Sequence, residues 1–184
     1  MKLTRLEPGG YYHYFNRGNN KENIFKSEEN YPYFLFLVSK YIIPIAEIYS
    51  YCLLPNHFHF IIRIKEEFEL DKEIKITSRW TFQPFSNLFN AYSKAINKKY
   101  NRTGSLFQKH PKRIKIKDDT YLRNLIIYVN TNPDHHGIGN YQTYKYSSYS
   151  SIISKTETLI SREKVIDLFD DLDNFKTILR MKKD

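Results

Sequence analysis

The first residues that could do chemistry are His57 and His59, which lie one residue apart in the segment HFHFIIRI. The apolar residues of this segment predict a buried β-strand, and side chains on a strand alternate between its two faces. Both imidazoles therefore point to the same side and could chelate one cation through their ring nitrogens. The spacing alone leaves two other interpretations open: a hydrogen-bonded structural pair, or a zinc site completed by a later histidine (His110, His135 or His136).

A second candidate segment is the helix that we predict before Pro133. Residues four apart lie on the same side of a helix, so Tyr128 and Asn132 would lie one above the other. Such a pair could present a phenolic nucleophile and an amide oxygen to one site. The chain has 16 tyrosines, so packing in the core is the competing role for any one of them. His135 and His136 follow Pro133 and are expected in a loop, near enough to this site to act as a base or to contact the substrate.

The positive charge of the chain is concentrated in one part of the sequence. The net charge is +9 at pH 7, and no Asp or Glu occurs from Ile74 to Lys117, a stretch that holds eleven lysines and arginines. A folded stretch of one charge sign suits the phosphate backbone of nucleic acid, although a solvated, soluble surface is the alternative. Aromatic residues occur among these charges, and their rings either stack on unpaired bases or fill the core stripe of a helix. The pattern favours a nucleic-acid partner.

The hydrophobic patterns predict an α+β fold for this chain. Strands are expected near residues 10–16, 45–54, 57–64 and 113–117, and helices over 27–42, 84–100 and 118–132, with one or two short helices over 161–179. The strand RIKIK should keep its charges on one face. The helix before Pro133 should end there, because the residue before a proline disfavours helix.

The predicted order of elements is strand, helix, strand, strand, helix, strand, which is that of a ferredoxin-like split βαβ antiparallel sheet. Helices are added after it, so we expect one domain over residues 1–150 and a C-terminal helical extension, residues 151–184, packed on that domain. This fold carries many functions, so it does not by itself name one.

The composition excludes several classes of protein. With Cys52 as the single cysteine, the chain holds no internal disulfide and no multi-cysteine metal site. The longest apolar region is interrupted by Lys40, Pro44 and Glu47 and cannot span a bilayer unaided. The first ten residues lack the apolar segment of a signal peptide. We therefore expect a cytoplasmic protein with no membrane partner and no obligate protein partner.

Several motifs together resemble one known family. The segment LPNHFHFIIRI is similar to the His-hydrophobic-His (HUH) signature of the single-tyrosine HUH transposases, in particular their REP-associated branch. The segment YVNTNPDHHGI resembles the catalytic helix of that branch, in which a tyrosine is followed four residues later by asparagine and then proline. The segments YFNRGNNKENIF, GSLFQKHPKRIKI and YKYSSY agree with the family's order, so the likeness runs from about Tyr11 to Tyr149.

This resemblance implies a reaction and roles for individual residues. His57 and His59 would bind Mg²⁺ or Mn²⁺, with Asn132 as a third ligand, and Tyr128 would be the nucleophile. The protein would be a metal-dependent single-stranded DNA endonuclease and strand transferase that cleaves near a hairpin through a 5′-phosphotyrosine intermediate. Five basic residues are candidates for contacts with the DNA backbone: Arg17, Lys112, Arg113, Lys115 and Lys117.

Two alternatives of other classes stay open at this point. One is a non-catalytic ferredoxin-like module that binds nucleic acid, which would need neither the histidine pair nor the Tyr128 and Asn132 pair. The other is a hydrolase in which histidines hold a metal that activates water. No Asp or Glu lies within six residues of His57 or His59 in the sequence, which counts against the hydrolase.

Overall fold

The computed structural model describes residues 4–181 and has an antiparallel sheet at its centre. The four strands are β1 (Tyr11–Arg17), β2 (Ala46–Leu54), β3 (His57–Ile64) and β4 (Lys112–Ile116). Their order across the sheet is β2-β3-β1-β4, and every neighbouring pair is antiparallel. This is the ferredoxin-like arrangement, so the predicted fold class is confirmed.

Six α-helices accompany the sheet within residues 4–181. They are α1 (Asn30–Tyr41), α2 (Gln83–Lys99), α3 (Asp119–His135), α4 (Tyr149–Ile153), α5 (Arg162–Asp167) and α6 (Leu172–Met181). All but α4 fall where the sequence pattern predicts a helix. In this described part of the chain, no helix is both long enough and apolar enough to cross a membrane.

Helices α1 and α2 cover one face of the sheet and form the main core with it. The Phe34 ring on α1 lies 5.4 Å from the Phe58 ring on β3 and 6.4 Å from the Phe60 ring. On α2, the Phe85 ring stacks on Tyr14 of β1 at 4.3 Å. Each such buried side chain contributes about 1.5–3 kcal/mol through removal of apolar surface from water. The alternate residues of β3, which include both histidines, consequently face the other side of the sheet.

Helix α3 covers part of that other side and is fixed to β2 by a buried hydrogen-bond network. The Asn130 amide nitrogen donates to Ser50 Oγ at 3.0 Å, and Ser148 Oγ donates to Asn130 Oδ1 at 2.8 Å. All three side chains are buried. Because buried polar groups are costly when left without partners, this network holds α3 in one position on the sheet. That position determines where the neighbouring Tyr128 lies.

The prediction that this helix ends before Pro133 is wrong, because α3 continues through it to His135. Pro133 has no N–H to donate to the carbonyl one turn earlier, but the following turn is closed by backbone bonds. The His136 N–H donates to the Asn132 carbonyl at 3.0 Å, and the Ile138 N–H donates to the Pro133 carbonyl at 2.9 Å. Asn132 and Pro133 are both buried, so their packing offsets the backbone cost.

The C-terminal helices pack against the edge of the sheet beside β2. The Ser161 N–H donates to the Ile48 carbonyl at 2.8 Å, and the Ser148 N–H donates to the Tyr51 carbonyl at 2.8 Å. These bonds satisfy part of a strand edge that would otherwise be exposed. The division of the chain at residue 150 stays a prediction, and its outermost residues, 1–3 and 182–184, lie outside the described part.

Candidate active site

The two histidines of β3 lie beside β1 on the face that α3 only partly covers. In the register of this pair, His59 lies opposite Phe15 and His57 lies opposite Arg17. The third histidine of the group, His13, comes from the same face of β1, and its ring centroid is 5.0 Å from that of His59. Strand pairing thus brings three imidazoles together from two segments that are more than forty residues apart in the sequence.

Each histidine of β3 uses its Nδ1 atom in a hydrogen bond. His57 Nδ1 lies 2.6 Å from Asn56 Oδ1, and His59 Nδ1 lies 2.8 Å from His13 Nε2. An amide oxygen can only accept, so His57 Nδ1 carries the proton and its Nε2 keeps a lone pair. A lone pair on Nε2 is what a neutral histidine offers to a metal ion.

Tyr128 reaches this histidine group from α3. Its ring centroid lies 6.0 Å from that of His59 and 6.3 Å from that of His13. The side chain is 40% exposed, although its ring lies beside buried imidazoles. An exposed phenol beside buried imidazoles is open to a substrate on one side and held by the protein on the other.

Asn132 lies one helical turn after Tyr128 and is fully buried. Its Nδ2 donates to the Tyr128 backbone carbonyl at 2.9 Å, whereas its Oδ1 has no hydrogen-bond partner among the described residues. A buried amide oxygen without a partner costs about 1–3 kcal/mol, and such groups mark places where a ligand or ion can bind. Asn132 is not among the described residues that line the cavity together with His57 and His59, so its role as an oxygen ligand stays a prediction.

The donor set suits a hard divalent ion, provided that substrate or water completes it. Among residues 4–181, no group of three or more His, Cys, Asp or Glu side chains is placed to hold a metal. Two imidazole nitrogens together with the predicted Asn132 oxygen would form a mixed N/O set suited to Mn²⁺ and acceptable to Mg²⁺. Of the later histidines, His110 and His136 line the same cavity as His57 and His59, so a site completed by one of them stays an alternative.

His57, His59 and Tyr128 line one cavity of about 440 Å³. Its walls also include the basic side chains of Arg17 and Lys112, and the Lys112 Nζ lies 5.8 Å from the centre of the Phe15 ring. The part of the chain that the structure describes contributes no Asp or Glu to this lining. A cavity with positive and neutral walls attracts an anion such as a phosphodiester.

The five predicted DNA-binding residues do not all lie on this face. Arg17 and Lys112 line the cavity, whereas Arg113 and Lys115 extend from the opposite face of β4. There Arg113 lies over the Tyr14 ring at 5.9 Å and Lys115 Nζ bonds Glu7 Oε2 at 2.5 Å. Lys117 is exposed between β4 and α3. The cause is the alternation of the strand, which sends Lys112 to one face and Arg113 and Lys115 to the other.

Two histidines near the site were not fully identified from the sequence. His13 was not predicted as part of the site, and His136 was expected mainly as a loop residue. The His136 ring lies 4.8 Å from the His57 ring and lines the cavity. His135 belongs to the last turn of α3 rather than to a loop, and its ring stacks near Tyr128 at 5.9 Å. The sequence placed His13 in the predicted first strand, but this does not show which residues lie next to it. Its neighbours depend on how the strands pair.

Burial makes the grouped imidazoles poor bases. It lowers the pKa of His13 to about 4 and that of His57 to about 4, where the positive charge of nearby His136 and Arg17 adds to the effect. For His59, burial and then the neighbouring His13 and His57 lower the pKa to about 2. The three side chains are consequently neutral at pH 7, which is the state in which imidazole binds a metal.

These pKa values predict that the metal-free protein loses stability as the pH falls from 6.5 to 4.5. Over this range the unfolded chain binds protons at ordinary histidines, while the folded protein keeps His13, His57 and His59 neutral. Each of the three adds a slope approaching ~1.4 kcal/mol per pH unit to the free energy of unfolding. Carboxylates with a lowered pKa, such as that of Glu69, reduce the stability only when the pH falls below 4.5.

Urea unfolding at four pH values between 7.5 and 4.5 measures this slope. His110→Gln is the matched control, because it removes an exposed histidine from the same cavity wall and should leave the slope unchanged. A free energy of unfolding that stays constant across the range would contradict the buried, neutral state of the group.

Comparison with known proteins bears on the fold of this chain. No protein-family profile matches the sequence, and no curated protein matches it. Among solved structures, the chain is similar to that of a REP-associated tyrosine transposase bound to a REP hairpin, with 14% identity and a TM-score of 0.63. The similarity covers 86% of this chain and 90% of that chain. At this identity the likeness shows the fold, and this chain therefore has the fold of a REP-associated tyrosine transposase, the family that its motifs resemble.

Proposed function

We propose that this protein is a metal-dependent single-stranded DNA endonuclease and strand transferase that cleaves near a hairpin and becomes joined to the DNA through Tyr128. The observation that carries this proposal is the exposed Tyr128 ring beside His59 and His57 in a cavity with basic walls. A module that only binds nucleic acid has no need of an exposed phenol next to two neutral, paired imidazoles. The structural neighbour is itself a transposase bound to a hairpin, which supports a DNA partner of this kind.

The proposed reaction is a transesterification. The Tyr128 hydroxyl oxygen attacks the phosphorus of a phosphodiester, and the bond from phosphorus to the 3′-oxygen breaks. The phenol loses its proton and the departing 3′-oxygen gains one, so the products are a 5′-phosphotyrosine and a free 3′-hydroxyl. One phosphodiester replaces another, so the reverse reaction with a new 3′-hydroxyl can join strands without an added energy source.

A bound Mg²⁺ or Mn²⁺ would polarise the phosphate and stabilise the charge that develops on its oxygens. His57 and His59 would hold this ion, with the Asn132 amide oxygen as the third ligand. The walls of the cavity act on the same charge, because Arg17 and Lys112 attract the phosphate and orient it toward Tyr128. The half-buried ring of Phe15 lies between His59 and Lys112, where an unpaired base next to the cleaved phosphate can stack on it.

The test uses single-stranded DNA from the flanks of the gene, labelled at the 3′ end in one sample and at the 5′ end in another. With Mn²⁺ present, the 3′ label should move to the protein band on a denaturing gel, because the 5′-phosphotyrosine keeps that fragment. The 5′ label should leave as a shorter fragment that ends in a 3′-hydroxyl. Binding of these DNAs without any cleavage would favour the binding module, and free fragments without an adduct would favour a water-using hydrolase.

The two faces of β4 provide a prediction about DNA binding. Lys112→Ala should weaken DNA binding and reduce the slope of log Kd against log salt by about 0.7–0.9, the value expected for the loss of one phosphate contact. Lys115→Ala is the matched control, since Lys115 lies on the same strand but on the opposite face, paired with Glu7. Fluorescence anisotropy at four salt concentrations measures both. Equal losses in the two variants would show that DNA contacts both faces of the strand.

A further inference from the structure

We propose that His13 is a positioning residue that accepts a hydrogen bond from His59 and thereby keeps the Nε2 atom of His59 free to bind the metal. The inference rests on the proposed function, because it concerns the ion that His57 and His59 would hold. The proposal adds to the site a residue from a different strand. The Nε2 atom of His13 is used in the hydrogen bond to His59, so this atom does not bind the ion, and His13 does not touch the reacting phosphate.

The contact between the two side chains is short and protected from water. His13 Nε2 lies 2.8 Å from His59 Nδ1, and the two residues are only 5% and 6% exposed. Their rings lie 5.0 Å apart with an angle of 27° between the planes. They sit on strands paired over the whole length of β1, from Tyr11 opposite Arg63 to Arg17 opposite His57. The strand pairing therefore holds the backbones of these two residues in a fixed relative position.

The position of one proton decides whether His59 can be a ligand. A neutral imidazole has one N–H and one lone pair, so exactly one of the two bonded nitrogens donates. If His13 donated, the proton of His59 would lie on Nε2, and that atom could not bind a metal. If His59 donates from Nδ1, its Nε2 has the lone pair. Only the second arrangement is compatible with His59 as a ligand.

His57 also forms a hydrogen bond through Nδ1, and its partner, the Asn56 side-chain oxygen, can only accept. His57 therefore donates from Nδ1 and keeps its Nε2 lone pair. With His13 as acceptor, His59 has the same tautomer as His57, and both present Nε2. Partners that hold a ligating histidine through its other nitrogen typically contribute a factor of 10–100 to metal affinity.

The first experiment reads the tautomer directly and needs neither metal nor DNA. Long-range ¹H–¹⁵N NMR spectra of the metal-free protein at pH 7 distinguish a histidine protonated on Nδ1 from one protonated on Nε2. We expect His59 and His57 both to be protonated on Nδ1. A proton on Nε2 of His59 would overturn the inference.

The second experiment measures Mn²⁺ affinity by isothermal titration calorimetry. His13→Phe keeps an aromatic ring but removes the acceptor, and it should weaken Mn²⁺ binding about 10–100-fold. His13→Gln restores an acceptor oxygen and should recover a large part of the loss. Tyr11→Phe is the matched control, because it removes a hydrogen bond to the Tyr49 hydroxyl from the same face of the same strand, outside the cavity, and it should leave both tautomer and affinity unchanged.

The outcomes separate this inference from the proposed function. Wild-type affinity in folded His13→Phe, or no recovery in folded His13→Gln, would overturn the role of His13 even if the protein forms a DNA adduct. Conversely, the expected tautomer and Mn²⁺ affinities could be found in a protein that forms no DNA adduct. This result would support the role of His13 and reject the proposed reaction. No Mn²⁺ binding by the wild type would reject both.

Discussion

Replacement of Tyr128 by phenylalanine is expected to abolish the covalent protein–DNA adduct and to slow strand cleavage at least about 10³-fold, the order of loss when a covalent nucleophile is removed. The change deletes one oxygen and keeps the ring, whose centroid lies 6.0 Å from that of His59. The packing of α3 rests on its buried residues and on the Asn130 network, so the fold should be unaffected. Mn²⁺ affinity and DNA affinity should both stay near the wild-type values.

Tyr121→Phe is the matched control for this experiment. Tyr121 lies on the same helix and is 38% exposed against 40% for Tyr128, so the two variants lose the same atom from similarly exposed rings. Tyr121→Phe should form the adduct at the wild-type rate. If Tyr128→Phe still cuts the DNA and leaves a 5′-phosphate, water is the nucleophile, and this result would support the hydrolase.

The sequence was sufficient to predict the two halves of the site but not the way in which they meet. Strand alternation correctly predicted that His57 and His59 share a face, and helical spacing correctly set Asn132 one turn from Tyr128. The partner of His59 could not be predicted, because His13 becomes its neighbour only through the register of β1 and β3. Register depends on the packing of the whole sheet, which local periodicity does not contain.

For the basic strand β4, too, local periodicity predicted only part of the arrangement. The alternation of RIKIK correctly predicted that Arg113 and Lys115 lie on one face, but it could not say which face of the sheet that is. They lie away from the cavity, and Lys112, one residue before them, lines it. The helix end at Pro133 failed for a related reason: a local rule about prolines was outweighed by the burial of Asn132 and Pro133.

Loss of either proposed histidine ligand is expected to have the second largest effect. His57→Ala and His59→Ala should each slow cleavage roughly 10²–10³-fold and remove its dependence on Mn²⁺, because metal stabilisation of the phosphate charge contributes several kcal/mol and each 1.36 kcal/mol is tenfold. Both side chains are buried, so each substitution leaves a small cavity. Circular dichroism and DNA affinity must therefore be measured in parallel with the cleavage rate.

Chelation provides the same test without any change in the chain. Wild-type protein in EDTA should bind DNA and form no adduct, and added Mn²⁺ should restore the reaction. His110→Ala is the control variant, since it removes an exposed histidine that lines the cavity and should retain the response to Mn²⁺. If the adduct forms equally well in EDTA, Arg17 and Lys112 alone would have to stabilise the phosphate, and the buried, neutral histidines would then be a structural pair held by Asn56 and His13.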